Sequence, residues 1–153
     1  MTRAKAAGTQ SRRPATSFRY IESSALLAAL LEGDAIALTA LRTAGQRVTS
    51  ALTFAEASRV LIRARVAGRI TPADEGAALR ALQTFERRCA VIAVTDDVLT
   101  RAGRPFPVEP IRTLDAIHLA TAELLGEAPP LVTFVTRDDR VRENARALGY
   151  LVA

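Results

Sequence analysis

Apolar positions along the chain follow two rhythms. Short β-branched or aromatic runs read as strands: FRYI (18–21), RVTSAL (47–52), AVIAV (90–94), PPLVTFVT (129–136) and YLVA (150–153). Between them lie stretches whose apolar residues return every three or four positions. The first, SSALLAALLEGDAIALTALRTAG (23–45), predicts helix broken near Gly33-Asp34 and ended by Gly45. FAEASRVLIRARVAG (54–68) has an apolar face of Phe54, Ala57, Val60, Leu61 and Ala64, is closed by Gly68, and starts from Thr53 with Glu56 three residues on, the spacing of a capping box. Residues 72–88 form another helix, with Pro72 in its first turn and Asp74 and Glu75 at the positive end of its dipole. TDDVLTRAG (95–103) is a short helix stopped by Gly103, and RPFPVEP (104–110) is a proline-rich loop. IRTLDAIHLATAELLG (111–126) is strongly periodic, and RDDRVRENARALG (137–149) is the last helix.

Strands alternating with helices call for a mainly parallel sheet of four or five strands with helices on both faces. In such folds ligands collect outside the carboxyl ends of the strands, where the strand order reverses. Acids at strand exits are therefore the side chains to examine. AVIAV reads as a buried strand, and the Asp96-Asp97 pair after it as the N-cap of the next helix.

Composition narrows the class. A chain of 153 residues, 49% hydrophobic, buries one substantial core, so a single domain is expected over residues 18–153. No run approaches the ~18 uncharged apolar residues of a membrane span, and the first residues lack the apolar centre of a secretory signal. With one cysteine, Cys89, there is neither an internal disulfide nor a zinc cluster, and Cys89 reads as a small buried apolar residue. A cytoplasmic protein without a membrane role is the expectation. The net charge of +5 is concentrated in residues 1–17, where Arg3, Lys5, Arg12 and Arg13 face no acid. That segment reads as a basic, disordered leader, with a phosphate-touching arm as the alternative. From residue 18 onward, 17 arginines nearly balance 16 acids.

Four carboxylates stand where the topology gathers ligands. Glu22 follows the first strand, Glu56 lies in the first turns of the helix after the second, Asp115 sits about a turn past the proline-rich loop, and Asp138 comes two residues after Thr136. Converging carboxylates repel and resist ionisation unless cations neutralise them. Magnesium or manganese suits such an oxygen cage, and two ions about 4 Å apart serve phosphodiester hydrolysis. Taken singly, Glu56 and Asp138 read equally well as helix caps.

The local contexts point to a family. YIESSALL (20–27), SALTFAEASRVL (50–61), RTLDAIHLATA (112–122) and FVTRDDRVRENARALG (134–149) resemble, in order and spacing, the four acidic blocks of PIN domains. The single-domain size resembles the VapC branch, toxin ribonucleases of toxin–antitoxin pairs. The resemblance implies a three-layer α/β/α sandwich and endonuclease activity on RNA dependent on Mg²⁺ or Mn²⁺. It also implies metal-site roles for Glu22, Glu56, Asp115 and Asp138, with Ser24 and Thr136 hydrogen-bonded to the acidic cluster. A small VapB-type antitoxin and a homodimer are the implied partners. One position departs from the family pattern, which has Asp where this chain has Glu22. The extra methylene lengthens the reach by about 1.5 Å, so a catalytically weak or inactive PIN-like domain that binds RNA or a partner is the competing reading.

Neighbouring residues are read more plainly. His118, the one histidine, lies a turn after Asp115 and reads as a packed helix residue, and Arg112 as a surface ion pair with Asp115 or a phosphate ligand. Asp139 points about 100° away from Asp138 and is left out of the site. Arg59, Arg63, Arg65 and Arg69 read as a solvated face, with Arg65 turned away from the other two.

Overall fold

The computed structural model describes residues 17–153. The basic leader predicted over residues 1–17 lies, apart from Ser17, outside the described residues. Five strands, β1 (Phe18–Ile21), β2 (Gln46–Ser50), β3 (Ala90–Ile92), β4 (Val132–Val135) and β5 (Leu151–Val152), form one parallel sheet in the order β3-β2-β1-β4-β5. The helices are α1 (Ser23–Leu27), continued by a π turn to Glu32, α2 (Ala35–Arg42), α3 (Leu52–Val66), α4 (Pro72–Glu86), α5 (Asp96–Ala102), α6 (Thr113–Glu123) and α7 (Asp139–Ala147).

Alternation along the strands sends side chains to two faces, and a separate apolar cluster fills each. Tyr20, Val48, Val132 and Phe134 pack with Val98 of α5, Ala116 and Leu119 of α6, and Val141 and Ala145 of α7. Ile21 and Val135 point the other way and pack with Leu26 of α1, Ala40 of α2, Ala57 of α3 and Leu82 of α4. The result is an α/β/α sandwich. Helix α6 is buried on all sides from Asp115 to Ala122, which places three polar side chains, Asp115, His118 and Thr121, inside the protein.

Several local expectations need correction. The capping box predicted at Thr53 and Glu56 does not form. Helix α3 starts at Leu52 after an uncapped Ala51, and the Thr53 hydroxyl lies 2.8 Å from that of Thr49. The reciprocal box sits instead at Thr71 and Asp74, leaving Glu56 free for another use. AVIAV is not a buried strand. Only Ala90–Ile92 pairs, with β2 alone, and as a sheet edge it leaves Val91 39% exposed. Thr95, not Asp96 or Asp97, caps α5, its hydroxyl accepting from the Val98 amide at 3.4 Å. The predicted break near Gly33-Asp34 is present: Gly33 takes a left-handed φ of 62°, and Asp34 caps α2 through the Ala37 amide at 2.8 Å. Cys89 is partly, not fully, buried.

The order β3-β2-β1-β4-β5 reverses between β1 and β4, so the crevice outside their carboxyl ends is the natural ligand position. The register pairs Ile21 with Val135, which puts the next residues, Glu22 and Thr136, side by side at that crevice. Among the described residues, no single helix is long and apolar enough to cross a membrane.

Candidate active site

Glu22 leaves β1 directly into α1, whose N-terminus it caps. Its carboxylate is 3% exposed and accepts four hydrogen bonds. Oε1 takes the Ser23 hydroxyl at 2.6 Å and the Ser24 amide at 3.0 Å. Oε2 takes the Ser24 hydroxyl and, at 2.9 Å, the Thr136 hydroxyl. A carboxylate offers about four acceptor positions, so Glu22 is saturated within its own corner. The longer side chain has turned back on its own helix start.

Thr136 and Ser24 join this corner to the exit of β4. The Thr136 oxygen accepts from the Asp138 amide at 3.0 Å, and the Ser24 oxygen from the Arg137 amide at 2.8 Å. Asp138 is the N-cap of α7, Oδ1 accepting from the Arg140 and Val141 amides at 2.9 and 3.1 Å. Capping occupies one oxygen and leaves the other facing the crevice. There the Arg112 Nη2 donates to Asp138 Oδ2 at 2.7 Å, while its Nε donates to Asp115 Oδ2, also at 2.7 Å. One guanidinium thus bridges carboxylates from two helices. Burial raises the Asp115 carboxyl above its ordinary range; Arg112 opposes this, and the charges of Asp138 and Glu22 reinforce it.

On the other side of Glu22, helices α3 and α6 bring Glu56 and His118 together, Oε2 to Nε2 at 2.6 Å. Burial works against ionisation of Glu56, but the His118 contact, with Ser23 and Arg112, outweighs it and lowers the carboxyl below its usual range. An ionised carboxylate only accepts, so Nε2 carries the proton that lies between them. The fully buried His118 places Nδ1 3.1 Å from the Tyr20 hydroxyl. Burial pushes the Tyr20 phenol well above its ordinary range, so it keeps its proton, and the imidazole's tautomer sets the direction of its bond with Nδ1. Among the described residues Glu22, Glu56 and His118 each offer a ligand atom within 4.8 Å of the others.

The four acids therefore lie at one end of the sheet, in two connected groups. Glu22 and Glu56 meet at His118, while Asp115 and Asp138 meet at Arg112. Reading the sequence missed Ser23, although the doubled serine of "ESS" directly after a strand-end acid was a signal for hydroxyl donors. Tyr20 was missed too, although strand alternation puts it on the same side as Glu22. His118 is packed as expected, yet its far nitrogen reaches the acids. Asp139 pairs with Arg142 and is exposed, away from the cluster. Arg65 pairs with Glu75 at 2.6 Å, whereas Arg59 and Arg63 line a cavity of about 320 Å³ beside Glu56, with Leu27, Leu52, Val60 and Leu114.

Comparison with known proteins places this geometry. The PIN domain family model matches residues 19–147. Ribonuclease VapC46 of Mycobacterium tuberculosis is 42% identical over 139 residues, covering 87% of this chain and 94% of that one. The fold resembles that of Mycobacterium tuberculosis VapC20, described as a Sarcin-Ricin loop cleaving toxin, with a TM-score of 0.62, 20% identity and coverage of 87% of this chain and 96% of that one. It also resembles VapBC2 of Rickettsia felis, solved bound to a DNA fragment from its promoter, with a TM-score of 0.61, 11% identity and coverage of 89% and 97%.

Proposed function

The chain belongs to the PIN domain family, and from that premise we propose that it is a VapC-type endoribonuclease, the toxin of a VapBC pair, cleaving RNA with divalent metal ions. The observation that carries the reading is the gathering of Glu22, Glu56, Asp115 and Asp138, from four separate elements, at the carboxyl ends of β1 and β4.

The donor set fits a hard divalent cation, since it is built from carboxylate oxygens and the Asp115–Asp138 pair already grips a cationic group. Glu56, Asp115 and Asp138 would hold Mg²⁺ or Mn²⁺ directly. Glu22, saturated by its four donors, contributes by its charge and through Thr136, or ligates once a hydroxyl turns away. When bound, such an ion supplies Lewis-acid chemistry for phosphodiester hydrolysis. The chain's own residues set the geometry: His118, fixed by Tyr20, orients Glu56, and Ser24 and Thr136 hold Glu22 against the β4 exit. Arg59 and Arg63 lie beside Glu56 where an RNA backbone would approach.

The test is metal-dependent cleavage of RNA by purified protein with Mg²⁺ or Mn²⁺. Activity should vanish in Asp115→Asn and survive in Asp96→Asn. A second reading, a weak or inactive RNA- or partner-binding domain, is favoured by the saturation of Glu22. RNA binding without cleavage across both metals decides for that reading.

The partner side of the proposal is a VapB-type antitoxin and a homodimer in the cytoplasm. The β3 edge, paired with β2 alone and with Val91 39% exposed, supports a surface that association would cover. Light scattering after size-exclusion chromatography, with and without the antitoxin, checks the stoichiometry. A monomer at all concentrations would remove the homodimer.

A further inference from the structure

Arg112 occupies the N-cap position of α6, and it is a poor residue for that place. Caps are Ser, Thr, Asp or Asn, and a cation at a helix N-terminus faces the positive end of the dipole. Arg112 makes no capping hydrogen bond. Its guanidinium lies instead between Asp115 and the α7 cap Asp138, donating to each at 2.7 Å, with a longer second contact to Asp115 at 3.4 Å. The arginine side chain is 63% exposed, while those of Asp115 and Asp138 are 9% and 24% exposed. A long, exposed arm therefore holds two sheltered carboxylates, and one positive charge leaves the pair with net negative charge.

We infer that Arg112 is a resident counter-cation of the Asp115–Asp138 pair, displaced when a divalent ion enters and then free to take a phosphate oxygen of the RNA. Three features agree with this. The arm itself is solvent-exposed, and an entering dication neutralises the sheltered carboxylates that it leaves, so no buried charge is stranded by its release. The guanidinium is a bidentate phosphate ligand once its carboxylates are satisfied elsewhere. Its place at the junction of α6 and α7 keeps it beside the site after it lets go. This inference rests on the metal-dependent ribonuclease reading of the same residues.

The test is Mn²⁺ titration by calorimetry on the metal-free full chain, comparing wild type, Arg112→Gln and Arg112→Lys, with circular dichroism to confirm folding. Removing a competing cation should tighten Mn²⁺ binding about fivefold or more in Arg112→Gln, the lower end of ordinary couplings between ligands. Arg112→Lys should stay near wild type. With RNA at saturating Mn²⁺, Arg112→Gln should raise KM about tenfold while kcat changes less, and Arg112→Lys should recover part of the loss. A structural ion pair would not tighten metal binding when broken. Unchanged or weaker Mn²⁺ affinity in Arg112→Gln overturns displacement, as does an absence of Mn²⁺ binding in all three proteins. Tighter Mn²⁺ binding with an unmoved KM overturns the phosphate role. Tighter Mn²⁺ binding in a protein that cleaves no RNA supports displacement and counts against the ribonuclease reading alone.

Discussion

Glu22 and Asp115 are both buried carboxylates at the same end of the sheet, and the fold satisfies them in opposite ways. Glu22 is held by four neutral donors, three of them from Ser23 and Ser24 beside it in sequence and one from Thr136 across β1 and β4. Asp115 has no such cradle among the described residues; its partner is one exposed arginine shared with Asp138. The first charge is stabilised as the chain folds, because the donors arrive with the strand register. The second remains under-neutralised, since burial and two neighbouring acids outweigh Arg112 and raise its carboxyl. An incoming dication therefore gains most at Asp115. The Glu22 corner acts as framework, and the Asp115–Asp138 corner as the exchangeable part of the site.

The sharpest way to break this contrast is to delete Glu22. Glu22→Ala strands three hydroxyls and an amide, and should cost about 3 kcal/mol of folding stability by urea denaturation, given the penalty for unpaired buried groups and the strength of hydrogen bonds to charge. Asp115→Asn should change stability by no more than about 0.5 kcal/mol, as a neutral amide relieves a buried charge. Equal losses would erase the distinction. In activity the ranking inverts. Asp115→Asn should lower RNA cleavage about 100-fold or more, at or beyond the upper end seen when residues supporting a metal site are changed. Glu22→Asp should have a smaller effect, about 1 kcal/mol of stability, as the shorter chain gives up one or two of the serine donors. Because it frees acceptor positions, the same change should strengthen Mn²⁺ binding by calorimetry. Weaker binding would mean that Glu22 already ligates in its present pose.

Much of this arrangement was legible in the residues. The alternation of β-branched runs with periodic helices predicts the parallel sheet. Four acids at strand exits predict which end matters, because parallel strands all deliver their exit residues to one edge. The features that escaped depend on register and on side-chain choice. Thr53 and Glu56 have the spacing of a cap, but α3 has already begun at Leu52, and the hydroxyl turns to Thr49. AVIAV has the composition of a central strand, yet strand order is set by how helices cross, and it falls at an edge. Arg112 reads as an ordinary partner for Asp115 three residues away. That it also reaches Asp138, 26 residues on, is a product of the packing of α6 beside α7. The saturation of Glu22 needs the β1–β4 register that brings Thr136 across, so no local motif contains it.

The smallest expected effect tests the electrostatics without any mutation. Aspartate ordinarily releases its proton at lower pH than glutamate. Here the two should draw together, because burial raises Asp115 while the His118 contact overcomes burial and lowers Glu56. Asp115 holds its proton more tightly in the folded than in the unfolded chain. Its contribution to stability is present below the unfolded carboxylate range and is lost as pH rises through the raised value. Glu56 does the opposite: its contribution is complete above that range and disappears as pH falls through the lowered value. On acidification of the metal-free protein, carbon NMR of the side-chain carboxyls should therefore show Asp115 protonating at higher pH, and Glu56 at lower pH, than the same residues in the unfolded chain. Arg112→Gln should move Asp115 further up and shift Glu56 less, because Arg112 touches the first directly and the second only through its charge. If Asp115 instead protonates below its unfolded value and Glu56 above, the buried acid of α6 is better neutralised than its neighbour. The exchangeable half of the site would then lie at the Glu56–His118 pair.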